Sequence, residues 1–172
     1  MILGLSTANF TLLHVIISLV AIASGLIVVA GMLQSHRMAG MTLLFLVTTI
    51  LTSVTGFFFP INGFTPALGV GAISMLLLLA AAIALYAKRL DGRWRWIYVV
   101  TALVALWFNV AVLIIQSFQK LTLLNAAAPV VGPPFAGDVN THFVMTQAVV
   151  LLLFLVFGAL AAVRFHPMAS PP

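Results

Sequence analysis

Long runs of apolar residues, separated by polar breaks, dominate the chain. About 20 apolar residues in a helix are enough to cross the hydrocarbon core of a membrane. Five runs reach that length, and they cover residues 10–33, 41–59, 67–87, 95–118 and 142–164. The pattern therefore predicts an all-α fold, a polytopic transmembrane bundle of five helices.

The breaks between the runs predict where the chain turns. Three of them are short and read QSHRMAG, PINGFTP and KRLDGRWR. The fourth, a predicted loop over 119–141, contains three prolines, which remove backbone donors and clash with the preceding helical turn. It is not expected to form a sixth span. Nothing indicates a domain boundary, so we expect one bundle over 1–166 and a disordered tail over 167–172.

The composition identifies lipid as the main partner of the chain. Hydrophobic residues make up 64% of it and charged residues only 5%, whereas soluble domains carry about 25% charged residues. The net charge of +5 is not typical of nucleic-acid binding, because the cations lie at helix ends. The absence of cysteine excludes thiol chemistry. The first apolar run has no basic residue before it, so we expect a retained span rather than a signal peptide.

The basic residues predict which way the bundle faces. If the amino terminus lies outside, only Lys120 is external. The other six then share the cytoplasmic side: Arg37, Lys88, Arg89, Arg93, Arg95 and Arg164. Short cytoplasmic loops carry an excess of Lys and Arg. The sequence therefore predicts an N-out, C-in topology.

Polar side chains recur at helical spacing within the spans. These stripes include Thr11, His14 and Ser18; Thr48, Thr52 and Thr55; Tyr98, Thr101, Asn109 and Gln116; and His142 and Thr146. They can serve interhelical packing, in which small and polar residues face neighbouring helices. They can also line a polar cavity or cofactor pocket, for which Asn109 near mid-membrane is the main pointer. The sequence leaves both interpretations open.

The two acidic residues limit the chemistry. Asp91 and Asp138 both lie in predicted loops, so no span contains a carboxylate. This argues against a proton pump, against a calcium or magnesium site and against two-carboxylate hydrolysis. Asp91 is expected to pair locally with a basic neighbour. Asp138 is expected to cap the fifth helix, although it could instead bond to His142.

Four histidines lie near the ends of the spans. The predicted topology places His14 and His142 at the same level near the outer face, where they are candidate axial ligands of a haem b or ligands of copper. Asn109, Gln116 and Thr146 are the candidate pocket residues. The alternative is that His14 and His142 are edge residues bonded to a neighbouring hydroxyl or carbonyl. His36 and His166 are expected to contact headgroups at the inner face.

Several stretches resemble known proteins. The segments LTSVTGFFFP, RWRWIYVVTALVALWFNVAVLIIQSFQK and RFHP resemble a family of small, uncharacterised bacterial inner-membrane proteins, over His14 to Pro167. That resemblance implies a multi-pass protein of the bacterial inner (plasma) membrane. The pattern from LHVIIS to HRMAG resembles, more faintly, haem-binding bundles of the cytochrome b561 kind. Because the third and fourth spans have no histidine, it implies at most one haem b.

Three functional hypotheses remain, and they leave open whether the chain is an enzyme. The first is a haem b-binding electron-transfer protein that could face a quinone. The second is a non-catalytic accessory or assembly subunit with a partner membrane subunit. The third is a passive pore for a small neutral solute, lined by Thr52, Asn109 and Gln116.

Overall fold

The computed structural model describes residues 1–60, 66–127 and 140–167. Within these ranges the chain is helical and contains no strand. Five helices are long and apolar enough to cross a membrane. Four of them are α1 (Thr7–Leu33), α2 (Ala39–Phe57), α4 (Arg93–Lys120) and α6 (Thr141–Arg164). The third span, Ala67–Ala87, consists of α3 (Pro66–Ala82) and the helical turn that follows it, and a short α5 (Thr122–Ala127) follows α4. The predicted all-α fold with five spans is confirmed.

Polar capping residues explain why two helices begin earlier than their apolar runs. The Ser6 side chain accepts a hydrogen bond from the backbone N–H of Asn9 at 3.2 Å, which starts α1 at Thr7. Asn140 accepts from the backbone N–H of His142 at 2.8 Å and caps α6. Asn140 therefore has the capping role that was predicted for Asp138, which lies outside the described residues.

The breaks contain more helical structure than their composition predicts. The last turn of the third span, Ile83–Ala87, is π-helical. The short α5 lies within the break that was predicted as a loop. The side-chain amide of Asn125 donates to the carbonyls of Phe118 and Gln119, at 3.2 and 3.3 Å, and ties α5 to the end of α4. The predictions for the rest of this loop and for the tail concern residues 128–139 and 168–172, which the structure does not describe.

The helices pack in chain order and then close on α1. Each of α1, α2, α3 and α4 contacts the next span, and α1 also contacts α4 and α6. Alanines fill much of the buried centre and allow close helix approach. These are Ala81, Ala84, Ala102, Ala105, Ala161 and Ala162, packed beside larger buried side chains such as Phe45, Leu106 and Tyr98.

Contacts between distant segments bring the basic residues to one end of the bundle. The backbone N–H of His166 donates to Oγ of Ser35 at 2.8 Å, which joins the end of α6 to the end of α1. Nη1 of Arg95 donates to the carbonyl of Phe165 at 2.8 Å, which joins α4 to the same point. We call this the basic end; its cations are Arg37, Lys88, Arg89, Arg93, Arg95 and Arg164.

Candidate functional site

His14 joins α1 to α2 at the end of the bundle opposite the basic end. Its Nδ1 lies 2.7 Å from Oγ1 of Thr55. The imidazole also meets Phe59 edge-on, with ring centroids 5.3 Å apart, and Phe59 in turn contacts Phe10 at 5.2 Å. The half-buried imidazole is therefore held by one polar and one aromatic contact from a single neighbouring segment.

The hydrogen bonds of Thr55 determine which nitrogen of His14 carries the proton. Oγ1 of Thr55 lies 2.7 Å from the carbonyl oxygen of Leu51, to which it can only donate. A hydroxyl has one proton, so the same oxygen must accept at His14. The neutral imidazole is then protonated at Nδ1, and its lone pair is at Nε2. This assignment follows from the hydrogen-bond network.

A glycine gives the His14 ring space on the α2 side. A Cβ added at Gly56 would lie 3.8 Å from Cε1 of His14, an ordinary van der Waals distance. We call the group formed by Phe10, His14, Thr55, Gly56 and Phe59 the His14 niche. Within the described part of the chain, no hydrogen bond engages Nε2 of His14, so the niche offers one imidazole lone pair.

His142 lies in a different environment. It is exposed in the first turn of α6, and its carbonyl accepts from Oγ1 of Thr146 at 2.8 Å. The next residue, Phe143, is buried and packs edge-on against Phe118 of α4, with centroids 5.6 Å apart. Among the described residues, no hydrogen bond or ring contact joins His142 to His14.

The other candidate pocket residues are not gathered around His14 by any contact in the described ranges. Nδ2 of Asn109 is buried without a hydrogen-bond partner there, as is Nε1 of nearby Trp107. Gln116 is exposed. The Thr146 hydroxyl is used by the His142 carbonyl. The polar link that α4 does make to α6 comes from Gln147, whose side-chain amide donates to the carbonyl of Ala111 at 3.0 Å.

Most hydroxyls of the polar stripes bond to their own helix. Each donates to the carbonyl four residues earlier, as Ser and Thr do in membrane helices. They are Thr11, Ser18, Ser24, Thr48, Thr52, Thr55, Thr101, Ser117 and Thr146. Because each hydroxyl proton is already committed, these side chains offer few donors to a solute or cofactor.

The basic end carries a cleft that sequence reasoning did not identify. It has a volume of about 560 Å³ and opens to the surroundings. Its lining residues are Arg37, Arg89, Leu90, Asp91, Gly92, Arg95, His166 and Pro167. The sequence predicted that these loops share a side of the membrane, but which side chains meet depends on the turns.

Asp91 departs from its predicted role. It was expected to pair with a neighbouring cation, yet it forms no ion pair in the ranges that the structure covers. Its backbone N–H donates to the Lys88 carbonyl, and its carbonyl accepts from the N–H of Trp94, both at 2.9 Å. Asp91 thus shapes the turn with its main chain and leaves its carboxylate unpaired.

No described group of three or more His, Asp and Glu side chains could hold a metal ion. No family model, curated protein or solved structure matches the chain.

Proposed function

We propose that the chain is a non-catalytic accessory or assembly subunit of a membrane complex in the bacterial inner membrane, with its amino terminus outside. The observation that carries this proposal is the bonding of the polar stripes. Nine hydroxyls donate to carbonyls of their own helices. Because these hydroxyls are already hydrogen-bonded, the stripes can pack closely against neighbouring helices without further polar partners.

The packing of α6 supports a lateral partner. Only 6% of the most apolar part of α6 is buried, compared with 28–33% in the other four spans. Its buried residues are Phe143 near the start and Ala161 and Ala162 near the end. Between them, large side chains such as Leu152 and Leu155 are exposed. A helix attached along one stripe has most of its surface free for a helix of another subunit.

Site-specific photocrosslinking tests this proposal in cells. A photoreactive side chain at Leu152 or Leu155 should crosslink one partner protein, and that partner should stay bound at a fixed stoichiometry through gel filtration in mild detergent. Leu76 and Leu79 on α3 are the matched controls, because they are equally apolar and similarly exposed. A homogeneous particle with no bound protein, or the same crosslinks from both helices, would contradict the proposal.

A second candidate function is electron transfer through a haem b, and the proton assignment at His14 favours it. Axial histidines bind iron through one nitrogen while the other donates to a fixed acceptor. Thr55 supplies that acceptor, so His14 offers Nε2. In this proposal His142 is the second axial ligand and a quinone is the electron partner. Asn109, Gln116 and Thr146 are the predicted pocket residues, although no described contact brings them to His14.

An absorption spectrum of protein purified from haem-sufficient cells tests the second candidate. A Soret band should be present in the native chain, lost in His14→Ala and in His142→Ala, and retained in His36→Ala. The His36 variant is the control, because it removes an exposed imidazole at the basic end. A native chain without a Soret band, or a band that survives in both ligand variants, would end this proposal.

The pore hypothesis gains no support from the described side chains. The Thr52 hydroxyl donates to the Thr48 carbonyl at 2.9 Å. Gln116 is exposed, and Nδ2 of Asn109 is buried without a partner. These three residues were predicted to line a polar path, and no described contact connects them.

A further inference from the structure

Four separate segments build the cleft at the basic end. Arg37 comes from the α1–α2 connection, Arg89 from the turn after the third span, Arg95 from the first turn of α4, and His166 from the segment after α6. These four segments can line one cleft only if the helix ends are held close to one another. The bonds from His166 to Ser35 and from Arg95 to Phe165 provide these ties.

The turn that presents Arg89 adopts an unfavourable backbone conformation. Arg89 and Leu90 have φ angles of 50° and 63°, and Gly92 has 48°. Left-handed geometry costs about 1–2 kcal/mol for a residue with a Cβ atom. Two contacts of Leu90 hold the turn in this conformation. The N–H of Leu90 donates to the Ala84 carbonyl at 2.9 Å, and the Leu90 side chain packs on the hydrophobic core. Strained backbone of this kind clusters at ligand sites.

Arg95 is held in position but keeps donors available. One guanidinium nitrogen donates to Phe165, and the group lies over the ring of Trp96 at 5.6 Å. A guanidinium has five N–H donors in a rigid fork, so most of them remain free. Their planar arrangement matches phosphate oxygens.

The charge in the cleft is unbalanced. Three guanidinium groups and the one carboxylate of Asp91 give a net charge of +2, counting His166 as neutral. None of these charges forms an ion pair within the described part of the chain. Like charges at close range repel more strongly near an apolar medium, and an anion between them would relieve that repulsion.

We propose that this cleft binds an anionic phosphate group, one whose charge is not balanced by a cation on the same molecule. An anionic phospholipid headgroup and free phosphate share this chemistry, and the position favours the headgroup. The cleft lies where the spans end, next to Trp94 and the exposed Trp96, and basic pockets between membrane helices bind such headgroups. The proposal is independent of the accessory and haem functions, since it uses none of their residues.

Binding of phosphatidylglycerol to the detergent-purified full chain tests the proposal, with phosphatidylcholine of the same acyl chains as the comparison lipid. Phosphatidylglycerol should bind saturably and raise the temperature of unfolding, whereas phosphatidylcholine should not. Arg37→Gln and Arg89→Gln should each weaken binding by about fivefold, the effect expected for one basic residue near an anionic headgroup. Arg93→Gln is the matched control, because Arg93 is exposed on the same end and does not line the cleft.

Inorganic phosphate distinguishes the two sources. If millimolar phosphate stabilises the native chain, and Arg37→Gln and Arg89→Gln abolish the effect, the site takes free phosphate. If phosphatidylglycerol alone acts, the headgroup is the ligand. Equal effects of the two lipids without a phosphate effect, or equal losses in the Arg93 and cleft variants, would overturn the proposal.

Discussion

Nδ1 of His14 lies 2.7 Å from Oγ1 of Thr55, and this bond joins the first two spans across 41 positions of sequence. Both partners lie on polar stripes that the sequence reveals, and the Thr55 hydroxyl oxygen accepts the proton of His14 Nδ1 while it donates to the Leu51 carbonyl. The bond matches one of the two interpretations of His14, an edge histidine held by a neighbouring hydroxyl. The same bond leaves the imidazole lone pair on Nε2, which the other interpretation, a haem ligand, requires. The two interpretations therefore share the His14–Thr55 bond and differ only in whether a metal binds Nε2.

We predict that Thr55→Val lowers the free energy of unfolding by about 0.6–1.7 kcal/mol, the range for interhelical hydrogen bonds in membranes. Valine keeps the shape of threonine but offers no acceptor to Nδ1. Thr55→Ser should stay close to the native value. Unfolding by titration with a denaturing detergent measures the difference.

Thr11→Val is the control for this prediction. Its hydroxyl bonds only to the Thr7 carbonyl of its own helix, at 2.8 Å, so no interhelical contact is lost. Equal stability of the Thr55 and Thr11 valine variants would show that the His14–Thr55 bond contributes nothing.

Gly25 lies where buried side chains of two other helices leave no room for a Cβ atom. A Cβ at Gly25 would lie 2.6 Å from Cδ1 of Leu106 and 2.9 Å from two ring carbons of Phe45. Both neighbours are buried, and overpacking of a filled core costs about 1–3 kcal/mol. We therefore expect Gly25→Ala to lower the free energy of unfolding by that amount, measured by the same detergent titration.

Gly158→Ala is the matched control, since Gly158 is also in the interior of a span. Its added Cβ would lie 3.5 Å from Cδ1 of Leu103, an ordinary contact, and alanine favours helix by up to about 1 kcal/mol. This variant should be neutral or more stable. A stable Gly25→Ala variant would mean that α1 can move away from Leu106 and Phe45 without loss.

The spans could be predicted from the sequence because membrane helices need continuous apolar runs, and these are visible without partners. Their first turns could not, since Ser6 and Asn140 start helices through polar caps that lie outside the runs. The six residues of α5 are too few to show a helical period. Its fold depends on Asn125, whose bonds to the end of α4 are visible only in three dimensions.

The candidate site was harder to predict than the spans. Helical spacing shows which residues share a face of one helix, but the rotation of two helices about their axes decides which faces meet. The predicted topology placed His14 and His142 at the same depth in the membrane, but it could not show which helix His14 faces. In the structure His14 faces Thr55 of α2. The cleft depends on the left-handed turn at Arg89 and Leu90, and two non-glycine residues in that conformation leave no pattern in the sequence.

Asn109 provides a test between packing and a pocket. Its Nδ2 is buried without a partner in the described ranges, and an unsatisfied buried polar group costs about 1–3 kcal/mol. If nothing binds there, Asn109→Leu should be as stable as the native chain or more stable by about 1 kcal/mol. The unfolding titration in detergent provides the measurement.

Gln147→Leu is the control amide, because Gln147 donates to the Ala111 carbonyl across the α4–α6 contact. We expect this variant to lose stability. If Asn109→Leu loses as much, then Asn109 has a partner in the folded protein, and the pocket interpretation gains its first support.

The orientation of the bundle can be tested cleanly because the chain contains no cysteine. Gln34 and Thr122 are both exposed and lie at opposite ends of the bundle. The basic end holds six of the seven Lys and Arg residues. Because cytoplasmic loops carry an excess of Lys and Arg, we predict that this end lies inside. In intact cells whose outer membrane has been made permeable, a membrane-impermeant thiol reagent should label Thr122→Cys. Gln34→Cys should react only after the inner membrane is opened, and the reverse pattern would contradict the N-out topology, because the basic end would then face outward.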